Sequence, residues 1–358
     1  MGAESQGNLI IFRIGSIGDT VVALPCFHAI SRAFPRHRKI LLTDAPASVR
    51  ASSVEIVLAG TGLIDDAIYF PPGHEKVRHS LALWRHLQQL QPDALVYLAP
   101  RPDRLRILRD LLFFRSAGIR RIIGAPLRAS VRAPRIDPET GELEQEADRL
   151  ARALGAAIPV DLSPPNWDMR LTAAEHQTAA SRLAMLPSSL PIVAMSPGAK
   201  VAAKDWGESN WAALVRILNT RSPPVSLALV GATDEHALAA RLAHEWSGPV
   251  ANLCGNLTPR ECAAALARCD VLACHDSGPM HLAANQGTPC VALFGNFNKP
   301  RQWFPFGTGH RVIYEPSGVR RISVERVAAE LEAAIAATMS AAAMLSAVRP
   351  PASRKSLA

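Results

Sequence analysis

What the chain lacks narrows its chemistry first. Its six cysteines, Cys26, Cys254, Cys262, Cys269, Cys274 and Cys290, form no C-x-x-C pair. That spacing argues against a zinc frame. Thiols set in apolar or helical patterns read as reduced and buried, as in a cytoplasmic protein. No apolar run approaches the roughly eighteen residues of a membrane span. The opening MGAESQGNLIIFR has an acid and a strand-like run in place of a basic region and an apolar core, so no signal peptide is expected. The dinucleotide fingerprint G-x-G-x-x-G is absent, as is the P-loop pattern G-x-x-x-x-G-K-[ST]. No D-x-D pair stands ready to hold a divalent ion; adjacent aspartates occur only at Asp65-Asp66. His275 and His281 are poorly spaced for one helix face, so they make a weak metal pair. Aromatic residues are 5% of the chain. None interleaves with basic residues in a nucleic-acid motif, so nucleic acid is not an expected partner.

What is present is material for two domains: 358 residues, of which 48% are hydrophobic and 20% charged. The net charge is +8. Basicity is concentrated between Arg101 and Arg135, which holds ten arginines against two acids, Asp103 and Asp110. Such a cluster favours an anionic partner: a phosphorylated glycan, a glycolipid or an anionic lipid surface. A solvated helix face would explain the same residues.

Short apolar runs alternate with amphipathic segments. Asn8–Arg13 reads as a strand and 19–34 as a helix. Lys39–Leu42, Glu55–Leu58, Ala67–Phe70, Ala94–Leu98 and Arg121–Gly124 complete a first set of strands. Leu127–Glu139 reads as a loop and Leu143–Leu154 as a helix. The proline-rich Ile158–Trp167 reads as a linker. A second set opens at Asp168, with strands at Pro191–Met195, Val225–Val230, Val250–Leu253, Val271–His275, Cys290–Phe294 and Arg311–Tyr314. Helices lie between them, and a closing helix is expected over 324–337. The pattern predicts an α/β chain of two Rossmann-like domains, 1–167 and 168–338, each with a parallel sheet, followed by a frayed, disordered tail over 339–358.

In open α/β sheets ligands bind beyond the carboxyl ends of the strands. The loops at those ends therefore hold the candidate residues. After the first strand comes Gly15-Ser16-Ile17-Gly18-Asp19. Asp19 suits a helix N-cap, and the helix dipole favours its anionic form, so it can also take a proton from a hydroxyl in a cleft. After Pro191–Met195 comes Ser196-Pro197-Gly198-Ala199-Lys200, with Lys204 nearby. Backbone amides and two ammonium groups there suit a phosphate, although two solvated lysines are a common alternative. Glu235, after Val225–Val230, can reach ribose hydroxyls; Thr233 or Asp234 capping the next helix is the plainer explanation. The last candidate is Cys274-His275-Asp276-Ser277-Gly278-Pro279-Met280-His281. Here Asp276 or Ser277 caps a helix, Pro279 fits its first turn, and the free amides form an anion seat suited to a diphosphate. An ordinary capped helix with a packed His281 would read the same way.

Together these loops resemble glycosyltransferase family 9, the ADP-heptose:lipopolysaccharide heptosyltransferase-like family. The motifs are IIFRIGSIGDTVVALP, SPGAKVAAKDWGESNW and NLCGNLTPRECAAALARCDVLACHDSGPMHLAANQGTPCVALFG. The resemblance implies a GT-B fold, with the acceptor on the N-terminal domain and a nucleotide-sugar donor, ADP-heptose by family default, on the C-terminal one. It implies inverting transfer to a lipopolysaccharide-core or related surface-glycan acceptor, with no metal or other cofactor. The expected location is the cytoplasm, where the Arg101–Arg135 segment would bind an anionic acceptor or rest on the cytoplasmic face of the inner membrane. Asp19 matches the family's base in its S-x-G-D element, and Lys204 the lysine that meets the donor phosphates. Asp276, Ser277, Gly278 and His281 match its D-[ST]-G-x-x-H loop. Ser16, Gly18, Arg101 and Arg104 are the acceptor-side candidates. The stretch GNFNKPRQ departs from the family's usual Pro-Thr turn. The competing readings are a GT-B-type sugar epimerase or phosphorylase and a non-catalytic nucleotide-sugar-binding assembly factor. A nicotinamide dehydrogenase is the weakest.

Overall fold

The computed structural model describes residues 7–45, 54–71, 76–100, 103–221 and 224–348. Among these described residues, eleven strands form two wholly parallel sheets. The first contains β1 (Asn8–Phe12), β2 (Arg38–Asp44), β3 (Asp66–Phe70), β4 (Ala94–Tyr97) and β5 (Arg121–Ile123), in the order β3-β2-β1-β4-β5. The second contains β6 (Ile192–Ser196), β7 (Ser226–Leu229), β8 (Val250–Asn252), β9 (Val271–His275), β10 (Cys290–Phe294) and β11 (Arg311–Tyr314), in the order β11-β10-β9-β6-β7-β8. Central strands such as VLACH and CVALF are buried at every residue. That is the continuous apolar pattern of a sheet covered by helices on both faces.

Each domain begins on a central strand and later crosses to that strand's other side, at β4 beside β1 and at β9 beside β6. These are the topological switch points, where the strand ends leave a crevice. The loops after β1, β6 and β9 therefore converge on one gap.

Several expected elements differ. Glu55–Leu58 is helical, within Val54–Leu58; its buried residues Val54, Val57 and Leu58 follow helical spacing. The first helix is two helices, Ile17–Val21 and Leu24–Ala33, the second entered through Pro25. The expected loop over 127–139 includes a helical turn, Ala129–Arg132, and Ile136 bridges to Leu143, so the next helix begins only at Glu146. Helices Lys76–Leu90, Arg104–Ser116 and Ala173–Leu183 were not delimited from sequence. The closing helix runs from Val324 to Val348, so the tail expected to be disordered from 339 begins as helix; 349–358 lie outside the described residues. The six cysteines are buried and free.

The linker is packed against both domains. Asn285 donates to the Trp167 carbonyl, Trp167 stacks on Phe306, and His28 meets the Asp168 carbonyl. Arg260, 4% exposed, donates to the carbonyls of Val57, Met169 and Arg170 and to the Glu175 carboxylate. One guanidinium thus satisfies groups from three parts of the chain, which is how a buried charge becomes tolerable.

Candidate functional site

A cavity of about 1030 Å³ lies between the domains. The first domain lines it with Gly15, Ser16, Ile17, Gly18, Asp19 and Asp44. The second supplies the 196–204 loop, the 231–235 loop, the 276–282 segment, Asn298 and Trp303. Most of the candidates named from sequence therefore meet there: Ser16, Gly18, Asp19, Ser196, Gly198, Ala199, Lys200, Lys204, Glu235, Asp276, Ser277, Gly278 and His281. Arg104 does not. It lies exposed at the start of an outer helix and is no part of this lining. Arg101 lies outside the described residues.

Asp19 is the third residue of Ile17–Val21, not the cap expected from sequence; Ser16 holds that position. The Ser16 amide and hydroxyl both donate to Asp19 Oδ2, at 2.8 and 2.7 Å. Behind it sits Arg13, wholly buried. Its guanidinium donates to the Leu98 carbonyl and the Asp19 carbonyl and stands 3.8 Å from the Asp19 carboxylate. Gly15 makes this turn possible. Its φ is +133°, and a Cβ there would lie 2.7 Å from Asp19 Cγ.

Across the gap, Lys204 Nζ lies 2.7 Å from Asp276 Oδ2 and 4.9 Å from the centre of the Phe297 ring. Asn298 donates its side-chain amide to the same Asp276 oxygen. Ser277 is the N-cap residue of Gly278–Asn285, but its hydroxyl donates backward to the His275 carbonyl at 3.3 Å. No side chain caps this helix, so its first amides are presented to the cavity. Neither Thr233 nor Asp234 is the cap of the helix that follows them. Glu235 is instead, and its Oε2 accepts the Ala232 amide at 2.8 Å. The Glu235 carboxylate occupies the space that Cβ atoms on Gly198 and Gly231 would take, at 2.0 and 2.2 Å.

His275 braces the loop that follows β6. It is wholly buried, and its Nε2 accepts the Trp206 amide at 2.9 Å. Its Nδ1 must therefore carry the proton, which it donates to the Gly198 carbonyl at 3.1 Å. Burial pulls this imidazole down to about 4, consistent with that neutral form. Burial also lowers His281, against the opposing pull of Asp276 and Asp19. The two domains touch at His281: a Cβ on Gly18 would sit 2.6 Å from its Cδ2.

Sequence reading missed Arg13, Asp44, Asn298, Trp303 and the bracing role of His275. Only Arg13 carried a signal, as a cation ending an apolar strand just before a glycine turn. No group of three or more metal-ligating side chains is found among the described residues.

The family model for glycosyltransferase family 9 (heptosyltransferase) matches residues 116–319. The chain is 22% identical to the lipopolysaccharide core heptosyltransferase OpsX of Haemophilus influenzae, over 87% of this chain and 85% of that protein. Its fold is similar to a glycosyl transferase family 9 structure from Veillonella parvula, with TM-score 0.72 and 18% identity over 94% of this chain and 99% of that one. It is also similar to the Escherichia coli heptosyltransferase WaaC with ADP-2-deoxy-2-fluoro heptose, with TM-score 0.59 and 16% identity over 91% and 99%. The two facing parallel sheets are the GT-B arrangement expected from sequence.

Proposed function

The chain belongs to glycosyltransferase family 9, the heptosyltransferase family, and from that premise we propose that it transfers heptose from ADP-heptose to a lipopolysaccharide-core acceptor. Transfer inverts the anomeric carbon and uses no metal. The names of the relatives support this donor and acceptor: one is a lipopolysaccharide core heptosyltransferase, and another was solved with a fluorinated ADP-heptose. The observation that carries the reading is the meeting of Asp19 from one domain with Lys204 and the uncapped helix start at Gly278 from the other, in one cavity.

In this reading Asp19 takes the proton of an acceptor hydroxyl as that oxygen bonds to the anomeric carbon. The bond from that carbon to the diphosphate oxygen breaks on the opposite face, and ADP departs. Lys204, the amides of the 196–199 loop and the helix start at Gly278 receive the leaving charge. Fixed donors aimed at developing charge are commonly the largest catalytic contribution. In this role they stand where a divalent ion would. The diphosphate competes with Asp276 for Lys204, Glu235 meets the ribose, and Ser16 and Gly18 border the acceptor.

The test is incubation of the purified chain with ADP-heptose and a heptose-deficient lipopolysaccharide core, in the presence of a chelator. ADP release and a product of opposite anomeric configuration by NMR are expected. Retained configuration, or no ADP release, overturns the reading.

A further inference from the structure

The helix Arg104–Ser116 carries an apolar stripe on its outer side. Its inward face is filled by Ile107, Leu111 and Phe114, all buried. The outward face presents Leu105 at 78% exposure and Leu112 at 69%, two turns apart and so in line. Leu108, half-buried, borders the same stripe. Arginines flank it: Arg104 and Arg115 along one edge, Arg106 along the other, and Arg109 between the leucines, all exposed. Asp103 is ion-paired to Arg106, and Asp110, which accepts the Tyr97 hydroxyl on its inward side, is ion-paired to Arg109 at 2.8 Å. The apolar surface continues sideways onto Lys76–Leu90. There Leu81, 44% exposed, and Trp84 form with Phe113 and Ser80 a shallow hollow of about 280 Å³. The sequence of that helix contains Lys76, Arg78 and Arg85 and no acid.

Exposed leucines ringed by guanidinium groups are costly for a surface that meets only water. They suit an interface with apolar depth beneath a layer of anionic phosphates. Arginine can bind a phosphate with two hydrogen bonds while its stem lies on the apolar surface. A protein partner of ordinary composition would face a surface of net positive charge. A bilayer supplies the complementary charge and the apolar depth together.

We propose that the outer face of Arg104–Ser116, extended by Leu81 and Trp84, is a docking surface for an anionic phospholipid bilayer. The leucines enter the headgroup and acyl boundary, and the arginines contact lipid phosphates. This helix begins just beyond the carboxyl end of β4, on the cleft side of the first sheet. The surface stands on its own residues and does not depend on the transferase reading.

Vesicle co-sedimentation of the full chain tests it, comparing phosphatidylethanolamine–phosphatidylglycerol vesicles with phosphatidylcholine vesicles. Binding to the first and not the second is expected. Leu105→Ser/Leu112→Ser should weaken partitioning about tenfold or more while leaving its salt dependence in place. Arg104→Gln/Arg115→Gln should reduce the salt dependence itself. The melting temperature of the leucine variant should match that of the unaltered chain, which separates lost docking from a damaged fold. Absence of binding to anionic vesicles, or binding indifferent to the leucine pair, overturns the proposal. So does a self-association in solution that the leucine pair abolishes, because it assigns this face to a second copy of the chain.

Discussion

Two acid–cation pairs face each other across the cavity, built in opposite senses. In Arg13–Asp19 the cation is wholly buried and the acid is the more exposed partner, at 22%. In Lys204–Asp276 the acid is the buried one, at 8%, and the ammonium is 21% exposed. Each buried member has hydrogen-bond partners of its own: the Leu98 and Asp19 carbonyls for Arg13, and Asn298 for Asp276. A buried charge is tolerated only with such partners, and its neighbour is then fixed in place. The first domain thus offers a carboxylate to the cavity and the second a cation. The polarity of the gap follows from which partner each domain hides.

The largest effect should come from neutralising the exposed acid. Asp19→Asn should lower single-turnover transfer by roughly 10²–10⁴, with ADP affinity by calorimetry unchanged; a normal rate would remove Asp19 from the chemistry. Neutralising the exposed cation should act on both measurements. Lys204→Ala should reduce turnover by roughly 10²–10³ and also weaken ADP, because Asp276 then faces the diphosphate without its ammonium.

The brace beneath the second pair gives a pH signature. His275 titrates near 6.5 when unfolded and about 4 when folded. The unfolded chain takes up this proton first. Its stabilising contribution is therefore complete above the unfolded value and is lost as pH falls through that window. The loss should approach roughly 3 kcal/mol. Denaturant titrations at neutral and acidic pH should show it, and His275→Gln should flatten the slope; an equal slope in the variant would place the titration elsewhere. The smallest expected effect tests whether the pairs must be held face to face. Gly18→Ala drives a methyl into His281 and should cost about 1–3 kcal/mol, read as a lower melting temperature and a raised KM. Adding His281→Ala should recover much of that loss.

The site was legible because a parallel sheet sends its strand ends to one edge, so the loops after β1, β6 and β9 had to converge. The strands read easily, since central runs such as CVALF are buried on both faces. Glu55–Leu58 misled because four apolar or amphiphilic residues are too few to show a period of 3.6 against one of 2. The partners of His275 were hidden for another reason. Trp206 and Gly198 lie 69 and 77 residues away in sequence. Asn298 falls in the stretch that departs from the family, so no motif pointed to it. Arg104 shows the limit of counting charges, because the number of arginines says nothing about the direction in which a helix turns them.

The helix that starts at Ile17 has its own occupant. Ser16 presents its amide and hydroxyl, and the carboxylate of Asp19 already fills that seat. The corresponding start at Gly278 has no such resident. Under the proposed function, a phosphate arriving between the two domains would be turned away by a resident anion on one wall and admitted on the other. The direction in which a nucleotide would lie would then be decided before any sugar is bound.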